Sequence, residues 1–319
     1  MAAEFAITEH GAPEVQTLEV PDSLGGQRLD LILAQLLPQH SRSRLQAWVR
    51  AGQLRVDGSL EQEVKRKLIG GECLQLQLLE EPSTTSPIAE DIPIDVIYAD
   101  ASLLVINKPA GLVVHPGNGN RQGTLLNALL HYAPELQQVP RAGIVHRLDK
   151  ETSGLLVVAR SIEAQTNLVR QLQARSVSRK YLAVAMGEVR TDGQVDAPIA
   201  RHPVHRTKMA VYRGGKTALT YYRVLERFPA ATLLECSLST GRTHQIRVHM
   251  GSLGHPLVGD SVYGKTNAQN FGCPRQALHA WRLALKHPES AQEMAWEARL
   301  PRDMEALLER LRATIVPAR

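Results

Sequence analysis

The residues whose chemistry stands out lie between Ala142 and Arg160, in the stretch AGIVHRLDKETSGLLVVAR. Two apolar runs, Gly143–Val145 and Leu155–Ala159, flank an insert from His146 to Gly154 that is dense in ionisable and hydroxyl side chains. Within it Asp149 is a carboxylate between two cations, Arg147 and Lys150. Leu155 to Ala159 show no polar alternation, so they predict a strand covered on both faces. A polar loop beside a rigid buried strand is where catalytic groups are commonly held, here for carboxylate chemistry. The same residues also suit a plain turn, with Asp149 or Thr152 bonding nearby amides. On this stretch alone both readings stand.

A second constellation is Gly241 to Met250, GRTHQIRVHM. Taken as a strand, its period of two puts Arg242 and His244 on one face and Arg247 and His249 on the other. The two histidines then diverge, which is poor geometry for one metal. No HExxH motif or paired cysteines accompany them, so no metal site is expected. A buried arginine here needs an anion, and Asp149 is a candidate. The residues themselves do not choose between Arg242 and Arg247.

HRLDKETSGLLVVAR resembles the signature of the RluA family of pseudouridine synthases. The likeness runs from about Gly26 to about Glu309. It implies that Asp149 is the catalytic aspartate and that Arg247 of HQIRVH is its arginine partner. It further implies that Tyr181 of KYLAV lies against the target base, and that Arg147 enters the RNA as the nucleotide leaves its stack. By itself Tyr181 reads as a strand aromatic packed in a core. The reaction implied breaks the C1′–N1 bond of uridine, turns the uracil and joins C5 to C1′. No redox change or energy input is involved, and the chain lacks GxGxxG and P-loop signals, so no cofactor is expected. The implied partner is 23S ribosomal RNA, in a large-subunit precursor or ribosome, at several uridines of the stem-loop called helix 69. Other large-subunit sites are the alternative. A non-catalytic RNA-binding assembly factor and a glycosidic hydrolase with paired carboxylates remain as competing readings.

The elements that must position these residues follow from pattern. Leu29, Ile32, Leu33, Leu36 and Leu37 mark an amphipathic helix, and Leu45, Trp48 and Val49 a second, capped by Ser41 or Ser43. Leu54 and Val56 lead into an Asp57-Gly58 turn, and Leu74, Leu76 and Leu78 give another strand. This module resembles an S4 RNA-binding domain through the run Ser41 to Gly58. Arg42, Arg44 and Arg50 cluster on the capped helix and Lys65, Arg66 and Lys67 follow, so RNA phosphate contact is expected. Residues 1–24 read as a lead-in, 25–80 as the S4-like domain, 81–91 as a linker and 92–319 as the catalytic domain. Pro198 to Lys216 reads as a long basic loop without acids, whose Arg206 and Lys208 are candidate RNA contacts.

Many short strands and few helices predict an α+β catalytic domain with an antiparallel-rich mixed sheet, preceded by the small S4-like α/β domain. Lys and Arg outnumber Asp and Glu 37 to 32, which favours a polyanionic partner. Three scattered cysteines argue against disulfides and zinc. No apolar run reaches membrane-spanning length, and the start MAAEFAITEH lacks a signal pattern. A cytoplasmic monomer without membrane contact is the expectation.

Overall fold

The computed structural model describes residues 14–37, 42–78, 88–117, 120, 122–205, 207–264 and 270–314. The chain separates into two compact units, residues 1–86 and 87–319. In the first, β1 (Glu14–Glu19) is followed by α1 (Leu29–Leu36) and α2 (Arg42–Arg50). Then come β2 (Leu54–Val56), β3 (Ser59–Glu61) and β4 (Cys73–Leu78), in a sheet ordered β1-β4-β2-β3. Asp57 and Gly58 both take positive φ, 49° and 78°, as a two-residue hairpin turn between right-twisted strands requires. Leu29, Ile32 and Leu33 of α1 and Leu45, Trp48 and Val49 of α2 close over Leu54, Leu74 and Leu76. Strand β1 corrects the expected lead-in. Its residues alternate, but its pairing with β4 in full register is a non-local contact that local pattern did not disclose.

The second unit is built on one nine-stranded sheet. Its strands are β5 (Asp95–Ala99), β6 (Leu103–Lys108) and β7 (Ser153–Ala159), with α3 (Leu125–Tyr132) between β6 and β7. Helix α4 (Ile162–Gln173) leads to β8 (Ser178–Met186) and β9 (Gly193–Asp196). A separate hairpin, β10 (Ile199–Arg201) and β11 (Met209–Val211), precedes β12 (Leu219–Arg227) and β13 (Ala231–Leu238). Helix α5 (Gln245–Ser252), β14 (Leu278–Lys286), β15 (Glu293–Glu297) and α6 (Arg302–Ala313) complete it. The order is β5-β6-β7-β14-β8-β13-β12-β9, with β15 paired to β14. Only β7 and β14 run parallel among the described pairs, so the sheet is mixed and antiparallel-rich as expected.

Burial on both faces explains the unbroken apolar runs. Leu104, Ile106, Leu156 and Val158 face α3, together with Ile246 and Met250 of α5. Leu103, Val105, Leu155 and Val157 face the opposite way, against Ala164 and Leu168 of α4. Helix α6 adds Met304, Leu307, Leu308 and Leu311 against Val184 and Leu233. Each such side chain removed from water contributes roughly 1.5–3 kcal/mol, which makes β7 a rigid platform.

Three further expectations change. Gly241 to Met250 is not a strand: the chain turns at His244, in left-handed backbone (φ 57°), and continues as helix α5. The basic stretch 198–216 contains the β10/β11 hairpin rather than a bare loop. The linker was expected to reach residue 91, and residues 81–87 lie outside the described residues. Its remainder is tied to the second unit, where Asn127 Nδ2 donates to Ile88 O (2.7 Å) and Gly123 N donates to Glu90 Oε1 (2.9 Å).

Candidate active site

Strand β7 opens at Ser153, so the loop before it ends beside the sheet. Gly154 is obligatory there. Its φ is +113°, and a Cβ would stand 2.2 Å from Ala280 O on β14. The loop is held from below by Lys108, whose buried Nζ donates to the carbonyls of Pro109 (2.7 Å), Leu112 (2.9 Å) and Lys150 (3.0 Å). Thr152 N donates to Asp149 O at 3.0 Å, a backbone turn; among the described residues the Asp149 and Thr152 side chains do not bond nearby amides as expected. The turn leaves the Asp149 carboxylate to a distant partner.

That carboxylate opens into a cavity of about 590 Å³, lined by Asp149, Tyr181, His244, Arg247, Arg147 and Arg242 among others. Arg247 Nη1 donates to Asp149 Oδ2 at 3.0 Å. The pair joins positions 98 residues apart in the chain. Arg247 is in turn held by Asp260, which accepts from Nε at 2.8 Å and from Nη2 at 2.9 Å. Asp260 Oδ1 also accepts from the amides of Val262 (2.9 Å) and Tyr263 (3.1 Å). Burial alone would raise the pKa of Asp260, but the bonds from Arg247 and the two amides hold it below the usual carboxylate value. The Arg247 guanidinium carbon lies 5.1 Å from the Tyr263 ring centre, a cation–π contact.

His244 completes the wall. Its Nδ1 meets Tyr263 Oη at 2.7 Å, and the same Oη accepts from Met209 N at 2.9 Å. A neutral imidazole can take the hydroxyl proton at Nδ1, the tautomer that carries its own proton on Nε2. Nε2 faces Asp149 Oδ1 at 3.9 Å. Burial lowers the His244 pKa, in keeping with the neutral ring. Asp149 thus has one oxygen on Arg247 and the other open to the cavity.

Tyr181 reaches the same space from the middle of the sheet and is 6% exposed. Burial raises its pKa, so the hydroxyl keeps its proton at neutral pH. Arg147 is exposed, at the cavity lining. Arg242 lines the cavity too, but its Nε donates to Thr217 O at 3.0 Å. The geometry therefore separates the two arginines that residue types alone left tied. The sequence reading placed them on opposite strand faces. The actual cause is that Arg247 lies within α5 whereas Arg242 precedes the left-handed turn. His249 is not free either: Nδ1 meets Thr220 Oγ1 and Nε2 meets Ala197 O, each at 2.9 Å.

Asp260, Tyr263, His244 and Gln245 went unassigned from the sequence. Gln245 Oε1 accepts from Arg242 N (2.9 Å) and Nε2 donates to Leu219 O (3.0 Å), which pins the start of α5. A weak signal existed for Asp260, since an acid after an apolar Leu257-Val258 and a glycine suggests a buried turn carboxylate.

The expected RNA contacts divide. Arg42 Nε donates to Asp30 Oδ2 at 3.0 Å, and that buried carboxylate also takes Arg28 and Gln46. Arg66 pairs with Glu61. Arg50, Lys65 and Lys67 are exposed. Lys208 Nζ donates to Val262 O at 2.8 Å, which ties the hairpin to the segment carrying Asp260. The Arg44 side chain and all of Arg206 lie outside the described residues. No helix among the described residues is long and apolar enough to cross a membrane.

The family described as RNA pseudouridylate synthase matches residues 102–252, and the S4 domain matches residues 27–70. The chain is 59% identical over 301 residues to the ribosomal large subunit pseudouridine synthase D of Nitrosomonas europaea, covering 92% of this chain and 87% of that one. It is 52% identical over 305 residues to the protein of that name from Pseudomonas aeruginosa, covering 92% and 95%. Among solved structures, human RNA pseudouridylate synthase domain containing 4 is similar with a TM-score of 0.56 and 28% identity, over 68% of this chain and 93% of that one.

Proposed function

Because the chain belongs to the RNA pseudouridylate synthase family, whose members are isomerases acting on RNA, we propose that it converts specific uridines of 23S ribosomal RNA to pseudouridine, with Asp149 as the reacting carboxylate. The observation that carries this reading is the Asp149–Arg247 pair at the floor of a cavity large enough for a nucleotide. The similarity to large-subunit synthases from other bacteria supports ribosomal RNA as substrate. The stem-loop called helix 69, within a cytoplasmic large-subunit precursor, is the proposed target, and a monomer suffices for the geometry described.

The target uridine leaves its stack and enters the cavity, at a cost of a few kcal/mol offset by backbone contacts. Arg147, exposed beside the mouth, takes the vacated place. Arg247 holds one oxygen of the Asp149 carboxylate, and the open Oδ1 acts on the bound nucleotide. Attack at C1′, addition to C6 of the base and removal of a proton from C2′ all begin from this carboxylate. The C1′–N1 bond breaks, the walls retain the uracil as it turns, and C5 bonds to C1′. The proton displaced from C5 departs last: the Tyr181 hydroxyl takes it up while passing its own proton to water, and the ring stacks on the base.

A glycosidase reading needs a second working carboxylate. Asp260 is nearby, but it is wholly buried and takes up Arg247 and two amides, so it is an anchor. The test is a map of pseudouridine in ribosomal RNA from cells lacking the protein, complemented with wild type or Asp149→Asn. The helix 69 modifications should vanish and return only with wild type. Their persistence in the null strain would sink the reading, and free uracil as product would favour hydrolysis.

A further inference from the structure

Arg179 stands two residues before Tyr181 on β8, so both side chains leave the same face of the strand. Both line the cavity that holds Asp149. Lys180, between them, points the other way and pairs with Glu235 at 3.1 Å. Arg179 is only 9% exposed, yet no ion pair among the described residues includes it. Its Nε is buried without a hydrogen-bond partner among those residues. The contrast with Arg247 is sharp, since that cation is buried in the same cavity with two carboxylates.

A mostly buried guanidinium without an anion, one of its nitrogens without an acceptor, is unfavourable. A hydrophobic residue of similar length would fill the space at lower free energy. The surroundings nonetheless keep a place for the guanidinium. A Cβ on Gly241 would come within 2.8 Å of Arg179 Nη1, so glycine in the Ser239–His244 turn leaves room for that end of the side chain. The neighbouring ionisable groups do not pair with it: Asp149, the acid of the same lining, is bonded to Arg247. His146 is uncharged, its pKa pushed down to about 3 by burial and by Arg179 itself, and its Nε2 accepts from Val157 N at 3.1 Å. Tyr181 is protonated, and Arg175, Arg147 and Arg141 in the same lining are cations.

We infer that Arg179 is a phosphate-binding residue of the catalytic cavity, whose guanidinium receives a backbone phosphate adjoining the flipped uridine. The inference rests on the functional reading above and deepens it, since it states which group of the RNA enters with the base. A phosphate supplies the missing charge and accepts from the two terminal nitrogens, the two-point geometry that arginine favours. Because Arg179 and Tyr181 share a strand face, phosphate and base are gripped from one rigid element. Only a nucleotide already out of its stack can satisfy both.

The test uses the full-length protein, a synthetic helix 69 stem-loop and two variants, Arg179→Met and Arg179→Lys. Conversion of uridine by wild type in the same RNA is scored separately, so failure of the functional reading registers there and not in the binding data. Arg179→Met should bind the stem-loop roughly ten- to a hundredfold more weakly, as expected for a charge-assisted contact. The slope of log affinity against log salt should fall by roughly 0.7–0.9. Arg179→Lys should recover part of both. Thermal stability of Arg179→Met should equal or exceed wild type, because an unpaired buried charge is replaced by an apolar chain. A scan of single neutral methylphosphonate linkages tests the wild-type protein itself. One linkage beside the target uridine should weaken wild-type binding as much as the Met change does, and should not weaken Arg179→Met further. Wild-type affinity and slope in a folded Arg179→Met protein overturn the inference. So does a scan in which every linkage affects both proteins alike, or a Met variant that is destabilised while binding normally.

Discussion

Asp260 grips Arg247 at two points, 2.8 Å at Nε and 2.9 Å at Nη2, and so presents Nη1 to Asp149. The arginine is a bridge between a wholly buried anion and one that opens to the cavity. Its orientation is set before any RNA arrives, which is the condition for electrostatic preorganisation.

Removing the bridge should damage fold and chemistry together. Arg247→Ala leaves Asp260 buried and unpaired, a loss of about 3–5 kcal/mol. Arg242→Ala removes a contact to Thr217 O from a partly exposed residue, so it should perturb Asp149 much less. Denaturant titrations alongside single-turnover rates for both proteins check this. If Arg242→Ala abolished chemistry in a stable protein, the assignment of Arg247 would be wrong.

The anchor has a pH signature. The folded pKa of Asp260 is lowered, so the stability it contributes is present above the ordinary value of 3.8 and is lost as pH falls through the folded value. Asp260→Asn should therefore narrow its stability deficit relative to wild type as the pH is taken below about 4. Urea midpoints measured from neutral to acid pH give the difference directly. A deficit constant across that range would remove Asp260 as the ionised anchor.

Tyr181 separates ring from hydroxyl. Tyr181→Ala should lose stacking worth about 1–3 kcal/mol. Tyr181→Phe keeps the ring, and a hydroxyl that assists proton transfer predicts a loss on the order of a hundredfold or more. Single-turnover rates with saturating enzyme decide between them. A Phe variant near the wild-type rate would return the hydroxyl to packing.

The small unit can be removed, but the cut belongs at Ser86 rather than Asp91. Ile88 and Glu90 bond to the α3 region and would be lost otherwise. The chain from Pro87 should stay folded and bind ribosomal RNA with a shallower salt dependence, each lost phosphate contact reducing the slope by roughly 0.7–0.9. An unchanged slope would exclude the exposed Arg50, Lys65 and Lys67 as phosphate contacts.

Short-range pattern in the sequence was sufficient for much of this protein. The unbroken run Leu155–Ala159 required burial on both faces, and the sheet supplies it with α3 on one side and α4 on the other. The Asp57-Gly58 turn, the helices at Leu29 and Leu45 and the loop carrying Asp149 follow from local periodicity and turn chemistry. Motif likeness added the roles proposed for Asp149, Tyr181 and Arg247. Tertiary structure alone decided the rest, because those facts depend on contacts between distant residues. Gly241 to Met250 has strand-like alternation, yet Gln245 bonds to Leu219 and Thr220, and the adjoining left-handed turn at His244 starts a helix. Strand β1 exists because β4 offers it a partner. Asp260 is an anchor because Arg247 faces it across a turn, and Asp149, the acid in the cavity that Arg179 also lines, pairs with Arg247 instead. Burial and charge pairing are properties of a neighbourhood, and only the folded chain has neighbourhoods.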